Sequence, residues 1–173
     1  MKLITPFDPW KHAHCTCPEK FSLAPYTGCA HGCRYCYAAS YIPRFEQVRP
    51  KRDYFTRLDK ELPHLPSGSL IAISNSSDPY PPAEKHDRIT RGTLERILAL
   101  PLRVQIVTKS DLVARDNDLL AQNKNACVAI SITSLRPQTA RRLEPGAPPP
   151  RQRLAAIKTL SASGVPVACR IDP

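Results

Sequence analysis

Short apolar runs punctuate the chain from Phe21 onward. Phe21–Tyr26, Leu70–Ser74 (Leu-Ile-Ala-Ile-Ser), Arg103–Thr108 (Arg-Val-Gln-Ile-Val-Thr), Ala126–Ser131 (Ala-Cys-Val-Ala-Ile-Ser) and Pro166–Arg170 (Pro-Val-Ala-Cys-Arg) are bounded by polar loops. Runs of this kind suit strands buried in a parallel sheet. Between them the spacing predicts helices over Tyr54–Leu62, Thr90–Leu100, Asn117–Asn123 and Arg151–Ser163. The last is the clearest: Leu154, Ile157, Lys158 and Leu160 fall at helical spacing, prolines 148 to 150 stand in front, and Gly164 follows as a C-terminal stop. Alternating strands and helices mean repeated βαβ units around a parallel sheet, barrel-like or open. Residues 1–20 mix Pro, His and Cys without a period and read as an irregular N-terminal extension, which leaves 21–173 as one core domain. Pro145-Gly-Ala-Pro-Pro-Pro150 reads as a stiff loop feeding the final helix.

Composition narrows the classes. With 173 residues, 42% of them hydrophobic and 23% charged, the chain is an ordinary one-domain globular protein, and wholesale disorder and collagen-like structure are excluded. Lys plus Arg number 25 against 15 Asp plus Glu, a net charge of +10. That excess suits a polyanion such as nucleic acid; a merely solvated basic surface is the alternative. No run approaches the roughly 20 apolar residues of a membrane span, and the first residues lack the core of a signal peptide, so a cytoplasmic protein without a membrane partner is expected. Seven cysteines, an odd count, point in a reducing compartment to metal binding or chemistry rather than disulfides.

The cysteines cluster in Tyr26-Thr-Gly-Cys29-Ala-His-Gly-Cys33-Arg-Tyr-Cys36-Tyr-Ala, a CxxxCxxC loop directly after a predicted strand. Three thiolates so close in sequence converge on one metal centre. One solution is a structural zinc knot completed by His31 or by Cys15 and Cys17. The other is an iron–sulfur cubane in which Cys29, Cys33 and Cys36 hold three irons and the fourth stays open to a ligand. His12-Ala-His14-Cys15-Thr-Cys17 could form an auxiliary metal site but lacks an established ligand spacing, and Cys127 and Cys169 read as structural thiols in strands.

CxxxCxxC with an aromatic just before its third cysteine, after the first strand of a βα repeat, resembles the radical S-adenosylmethionine superfamily. The fuller string from Pro25 to Ala38, together with Asn75-Ser-Ser-Asp-Pro-Tyr80, Ser131-Ile-Thr-Ser-Leu135 and Arg142-Leu-Glu-Pro145, resembles its spore photoproduct lyase-like group. The resemblance implies a 4Fe-4S cluster on Cys29, Cys33 and Cys36. S-adenosylmethionine would chelate the open iron, and a one-electron donor such as flavodoxin or ferredoxin would trigger release of a 5'-deoxyadenosyl radical. It implies that Tyr35 contacts adenine, and it gives the predicted strand ends cofactor-binding roles: Lys109 toward the carboxylate, and Ser76, Asp78, Ser131 and Thr133 toward the amino group or ribose. The loop after the second strand lacks the hydrogen-donating cysteine of spore photoproduct lyase, with Asn75 standing about where it would be.

Radical S-adenosylmethionine cores usually have six βα units, so about five strands imply a partial (β/α) barrel with its C-terminal units missing and an edge for a second copy or a further segment to cover. Two basic groups offer phosphate contacts: Arg44, Arg49, Lys51, Arg52 and Arg57, interleaved with Tyr41, Phe45, Tyr54 and Phe55, and Arg136, Arg141, Arg142, Arg151 and Arg153. The expected function is a radical S-adenosylmethionine enzyme, a DNA repair lyase. The alternatives are a zinc-stabilised nucleic-acid-binding module or an inactive fragment of such an enzyme.

Overall fold

The computed structural model describes residues 2–7, 18–73 and 76–171. Strands β1 (Thr5–Phe7) and β2 (Lys20–Leu23) are followed by β3 (Tyr26–Thr27), β4 (Arg49–Pro50), helix α1 (Tyr54–Glu61) and β5 (Leu70–Ile73). Then come α2 (Glu84–Asp87), α3 (Ile89–Leu98), β6 (Arg103–Thr108), α4 (Asn117–Ala121), β7 (Ala126–Ser131), α5 (Pro137–Leu143), α6 (Pro150–Ala162) and β8 (Val167–Arg170). The main sheet runs β1-β2-β5-β6-β7-β8, and its last five strands are parallel, as the apolar runs predict. Among the described residues β1 and β8 are its two edges, so the barrel is open. A smaller antiparallel pair, β3 with β4, flanks the cysteine loop.

The N-terminal segment is not wholly irregular. β1 pairs antiparallel with β2, placing a proline-bearing strand on an edge, where a missing backbone donor is tolerated. Leu3 and Ile4 are buried ahead of it, and both of their amides donate to the Glu61 carboxylate at the end of α1 (2.8–2.9 Å). His12, His14, Cys15 and Cys17 lie outside the described residues, as do Ser74 and Asn75.

The core forms where the helices cover the sheet: Leu23, Ile71, Ile73, Val104, Ile106, Val128 and Ile130 from the strands meet Leu58, Leu94, Ile97 and Leu160 from the helices. Each large aliphatic side chain fully buried there contributes about 1.5–3 kcal/mol. Gly164 ends α6 as expected, with φ +78°. Its amide donates to the Ser161 carbonyl and that of Val165 to the Leu160 carbonyl, which satisfies carbonyls the helix leaves unpaired. The buried stripe of α6 differs from the predicted one. Leu154 is 44% exposed, whereas Pro150, Arg153, Ala156 and Leu160 face inward. Arg153, on the buried face, meets the buried Glu144 carboxylate.

Candidate active site

The cysteine loop leaves β3 and is pressed against its neighbours by two glycines. Gly28 has φ +83°, and a Cβ there would lie 2.5 Å from the Phe45 carbonyl oxygen. The close approach lets the Cys29 amide donate to that same carbonyl at 2.7 Å. Gly146, in the stiff loop between α5 and α6, would place a Cβ 2.1 Å from the Ala30 oxygen. Its amide donates to the His31 carbonyl, and the Arg34 amide to the Leu143 carbonyl, both at 2.9 Å. Glycine is required at both positions by backbone approach. The loop is therefore clamped between the segment at Phe45 and Gln47, just ahead of β4, and the α5–α6 connection.

Cys29, Cys33 and Cys36 are all free thiols, Cys29 buried and the other two half-buried. Burial, reinforced by the charge of Asp78, pushes the Cys29 thiol up to about 12. Burial also raises Cys33, with Lys109 opposing it. Bound iron reverses such shifts, since a coordinating thiol is deprotonated by its metal. Among the described residues no three His, Cys, Asp or Glu are gathered around a point where a single ion could sit. His31, which would complete one form of the zinc knot, turns its imidazole to Asp78, Nε2 to Oδ2 at 3.1 Å; Cys15 and Cys17, which would complete the other, lie outside the described residues. A cubane takes one thiolate on each of three irons, and an all-sulfur donor set on one tightly held loop fits a four-iron cluster.

Asp78 follows β5 and is 8% exposed. Oδ1 accepts from the Tyr80 amide (2.9 Å) and the Thr108 hydroxyl (2.7 Å), and Oδ2 from the Lys109 amide (2.8 Å) while it faces His31. Burial alone would raise its carboxyl, but the His31 charge and these bonds outweigh it and hold Asp78 at about 2. Burial pulls the His31 imidazole down and Asp78 overcomes it, so the imidazole sits above its ordinary range. The carboxylate expected to reach a cofactor is thus already engaged on both oxygens. It ties the middle of the cysteine loop to the end of β6.

The other expected residues do converge, and the group they converge on was not anticipated. The Tyr35 hydroxyl and the Thr133 hydroxyl both donate to Glu144 Oε1, and the two hydroxyls lie 3.2 Å apart. Lys109 Nζ sits 3.9 Å from the same oxygen and 5.5 Å from the centre of the Tyr35 ring. Arg153 Nη1 approaches Glu144 Oε2 at 2.6 Å and donates to the Ser131 carbonyl at 3.0 Å, while its Nε donates to the Pro148 carbonyl. Glu144 and Arg153 are each 1% exposed. Burial pushes the Glu144 carboxyl upward, but the bonds from Thr133, Tyr35 and Arg153 outweigh it and the net direction is down. Burial and Glu144 together raise the Tyr35 phenol. Both shifts keep the proton on tyrosine and the charge on glutamate. Ser131 is buried at the end of β7, and Ser76 is half-buried two residues before Asp78. Glu144 carried no periodic signal; its one mark in the sequence was its place in the Arg142-Leu-Glu-Pro145 string.

A second buried network holds the surroundings in place. Glu84, fully buried, accepts from the Tyr26 hydroxyl (2.6 Å), the Thr90 amide (2.9 Å) and Arg115 Nη2 (2.8 Å). It fixes the residue from which the cysteine loop departs. A cavity of about 340 Å³ opens beside His31, with Tyr80, Lys85, Ser110 and Gln152 in its wall; Cys29, Cys33, Cys36, Tyr35, Lys109 and Thr133 do not line it.

The predicted basic surfaces are reorganised. Arg153 is buried, Phe45 and Tyr54 belong to the core, and Arg49 donates to the Pro43, Arg44 and Gln47 carbonyls. Tyr37 and Tyr41, just past Cys36, are 67% and 58% exposed with ring centres 6.1 Å apart. Among the described residues no helix is long and apolar enough to cross a membrane.

Comparison with known proteins gives the same picture. The chain is 31% identical over 158 residues to an uncharacterized protein of Methanocaldococcus jannaschii, covering 89% of this chain and 60% of that protein. It is also 31% identical over 171 residues to an uncharacterized protein of Mycobacterium tuberculosis, covering 90% and 50%. The chain thus spans about half the length of these curated relatives. Among solved structures, a spore photoproduct lyase complexed with dinucleoside spore photoproduct superposes with a TM-score of 0.69 at 23% identity, over 88% of this chain and 45% of that one. A cobalamin-dependent S-adenosylmethionine radical enzyme superposes with a TM-score of 0.57 at 16% identity, over 86% and 23%. These likenesses show the fold. The Radical SAM superfamily model matches residues 23–172, from the last residue of β2 through β8. The chain therefore belongs to the radical S-adenosylmethionine superfamily, whose cofactors are a 4Fe-4S cluster and S-adenosylmethionine.

Proposed function

We propose that Cys29, Cys33 and Cys36 hold the 4Fe-4S cluster and that S-adenosylmethionine lies against Tyr35, Lys109 and Thr133, within reach of Ser76 and Ser131. The observation that carries this reading is the convergence of Tyr35, Thr133 and Lys109 from three separate elements on one buried carboxylate beside the cysteine loop. The cofactors, when bound, supply one-electron reductive cleavage of the sulfonium and a 5'-deoxyadenosyl radical that removes a hydrogen atom from substrate. The chain's own residues bind and orient. Lys109 offers an ammonium to the cofactor carboxylate, the Tyr35 ring offers a face to adenine, and Ser76, Ser131 and Thr133 offer hydroxyls to the amino group or ribose. Asp78 acts through the backbone: it holds the Lys109 amide on one side and His31 of the cysteine loop on the other. The electron would come from a protein such as flavodoxin or ferredoxin.

A nucleic-acid substrate, with DNA repair as the role, is the finer part of the reading. It is supported by the net charge of +10, by the exposed Tyr37 and Tyr41 beside the cysteine loop, and by exposed Arg34, Arg44, Arg141 and Arg142. It is also supported by the dinucleoside bound to the spore photoproduct lyase of similar fold. Anaerobically reconstituted protein, reduced with dithionite, should convert S-adenosylmethionine to 5'-deoxyadenosine and methionine. Alanine at any one of Cys29, Cys33 or Cys36 should abolish the conversion. Wild-type protein with a full complement of iron and sulfide but no cleavage would refute the reading.

A further inference from the structure

We infer that Glu144 is a positioning residue for the adenosyl half of the cofactor, acting through Tyr35; the inference rests on the cofactor placement proposed above. The carboxylate itself is sealed, at 1% exposure, and its inner oxygen is committed to Arg153, so it does not present a surface to a ligand. What it controls is the direction of its neighbours. Tyr35 lies between Cys33 and Cys36, and a phenol on a loop has a free choice of rotamer unless its hydroxyl is tied down. Here the hydroxyl is anchored to an ionised acceptor, a bond stronger than one between neutral groups. The Thr133 hydroxyl donates to the same oxygen and so fixes the carboxylate that anchors the phenol. Arg153 supplies the charge that keeps Glu144 ionised, and it is itself fixed by the Ser131 and Pro148 carbonyls. A chain of bonds thus runs from helix α6 through Glu144 to the aromatic ring that faces the cofactor.

Positioning of this kind acts on one half of the ligand only. Lys109, by contrast, meets Glu144 only in a long ion pair, 3.9 Å and beyond hydrogen-bond distance, and its amide is placed by Asp78. Methionine, which carries the amino and carboxylate groups alone, should be indifferent to Glu144, whereas ligands with an adenosyl group should depend on it. The test is calorimetric binding to the anaerobically reconstituted chain, comparing S-adenosylhomocysteine with methionine, for wild type, Glu144→Gln, Tyr35→Phe and the double variant, with Tm recorded for each. Glutamine keeps the shape and removes the charge. Loss of a hydrogen bond to a charged group is expected to weaken S-adenosylhomocysteine about tenfold. Methionine affinity should stay within about twofold, and the double variant should be no worse than Tyr35→Phe alone, since both changes break one bond.

Equal weakening of both ligands, or additive losses in the double variant, would overturn the inference, because a general loosening of the site acts on both halves and through more than Tyr35. Unchanged S-adenosylhomocysteine binding in Glu144→Gln would overturn it as well. Should wild type itself bind no S-adenosylhomocysteine, the cofactor placement fails first and the inference with it. If Glu144→Gln is too unstable to measure, Tyr35→Phe with the same selective loss supports the anchor, and an unselective loss refutes it.

Discussion

A glutamate with 1% exposure remains ionised here because one guanidinium faces it and two hydroxyls donate to it. Removing the guanidinium leaves a buried charge whose nearest cation is Lys109, 3.9 Å from the other oxygen. Arg153→Met is therefore expected to destabilise the fold by about 3 kcal/mol, measured by urea denaturation. Adding Glu144→Gln to it should recover much of that loss, because the stranded charge is gone. A double variant as unstable as Arg153→Met would show that packing, not charge, sets the cost. Legibility at this scale followed chemistry. Cys29, Cys33, Cys36 and Tyr35 were readable because their spacing is unusual, and Lys109 and Thr133 because they end predicted strands. Glu144 and Arg153 were not: one sits in a proline-rich loop and the other was counted with surface arginines, and only their mutual burial gives either a meaning.

The elements the sequence predicted are those that carry an apolar run or several apolar positions at helical spacing. The five parallel strands and α1, α3, α4 and α6 all occur, with ends shifted by a few residues. β1, β3, β4 and α2, of two to four residues each, were unreadable because no period fits into so few positions, and the seven-residue α5, Pro-Gln-Thr-Ala-Arg-Arg-Leu, has only Ala140 and Leu143 as apolar positions. The docking of β1 is instead legible in three dimensions through Glu61. Burial nudges that carboxyl upward, but the Ile4 and Leu3 amides and the charges of Arg57 and Lys2 outweigh it and lower its pKa. A lowered folded-state value means the contribution is fully present above the unfolded carboxyl range, about pH 4.3, and is lost as the pH falls through the folded value. Amide exchange at Leu3 and Ile4, corrected for intrinsic rate, should accelerate below about pH 4. Glu61→Gln should remove that acid step. An acid step of the same size in Glu61→Gln would assign it to another group.

Across the whole molecule, charge and openness bear on partners. Tyr37 and Tyr41 combine with exposed arginines around the cysteine loop, an arrangement able to stack bases and meet phosphates. Binding to a single-stranded oligonucleotide should weaken steeply with salt, and Arg141→Glu with Arg142→Glu should reduce both the affinity and the salt slope. A slope unchanged by the double replacement would place the contact elsewhere. At the other end of the sheet, β8 leaves Cys169, Arg170 and Ile171 exposed, Ile171 at 85%, on the edge of the described sheet.

The most direct test of the central claim is metal and sulfide analysis with an electronic spectrum of the anaerobically reconstituted chain. Binding through Cys29, Cys33 and Cys36 is expected to give a brown protein with about four irons and four sulfides per chain and a charge-transfer band that S-adenosylmethionine perturbs. A colourless protein holding one zinc per chain would contradict it.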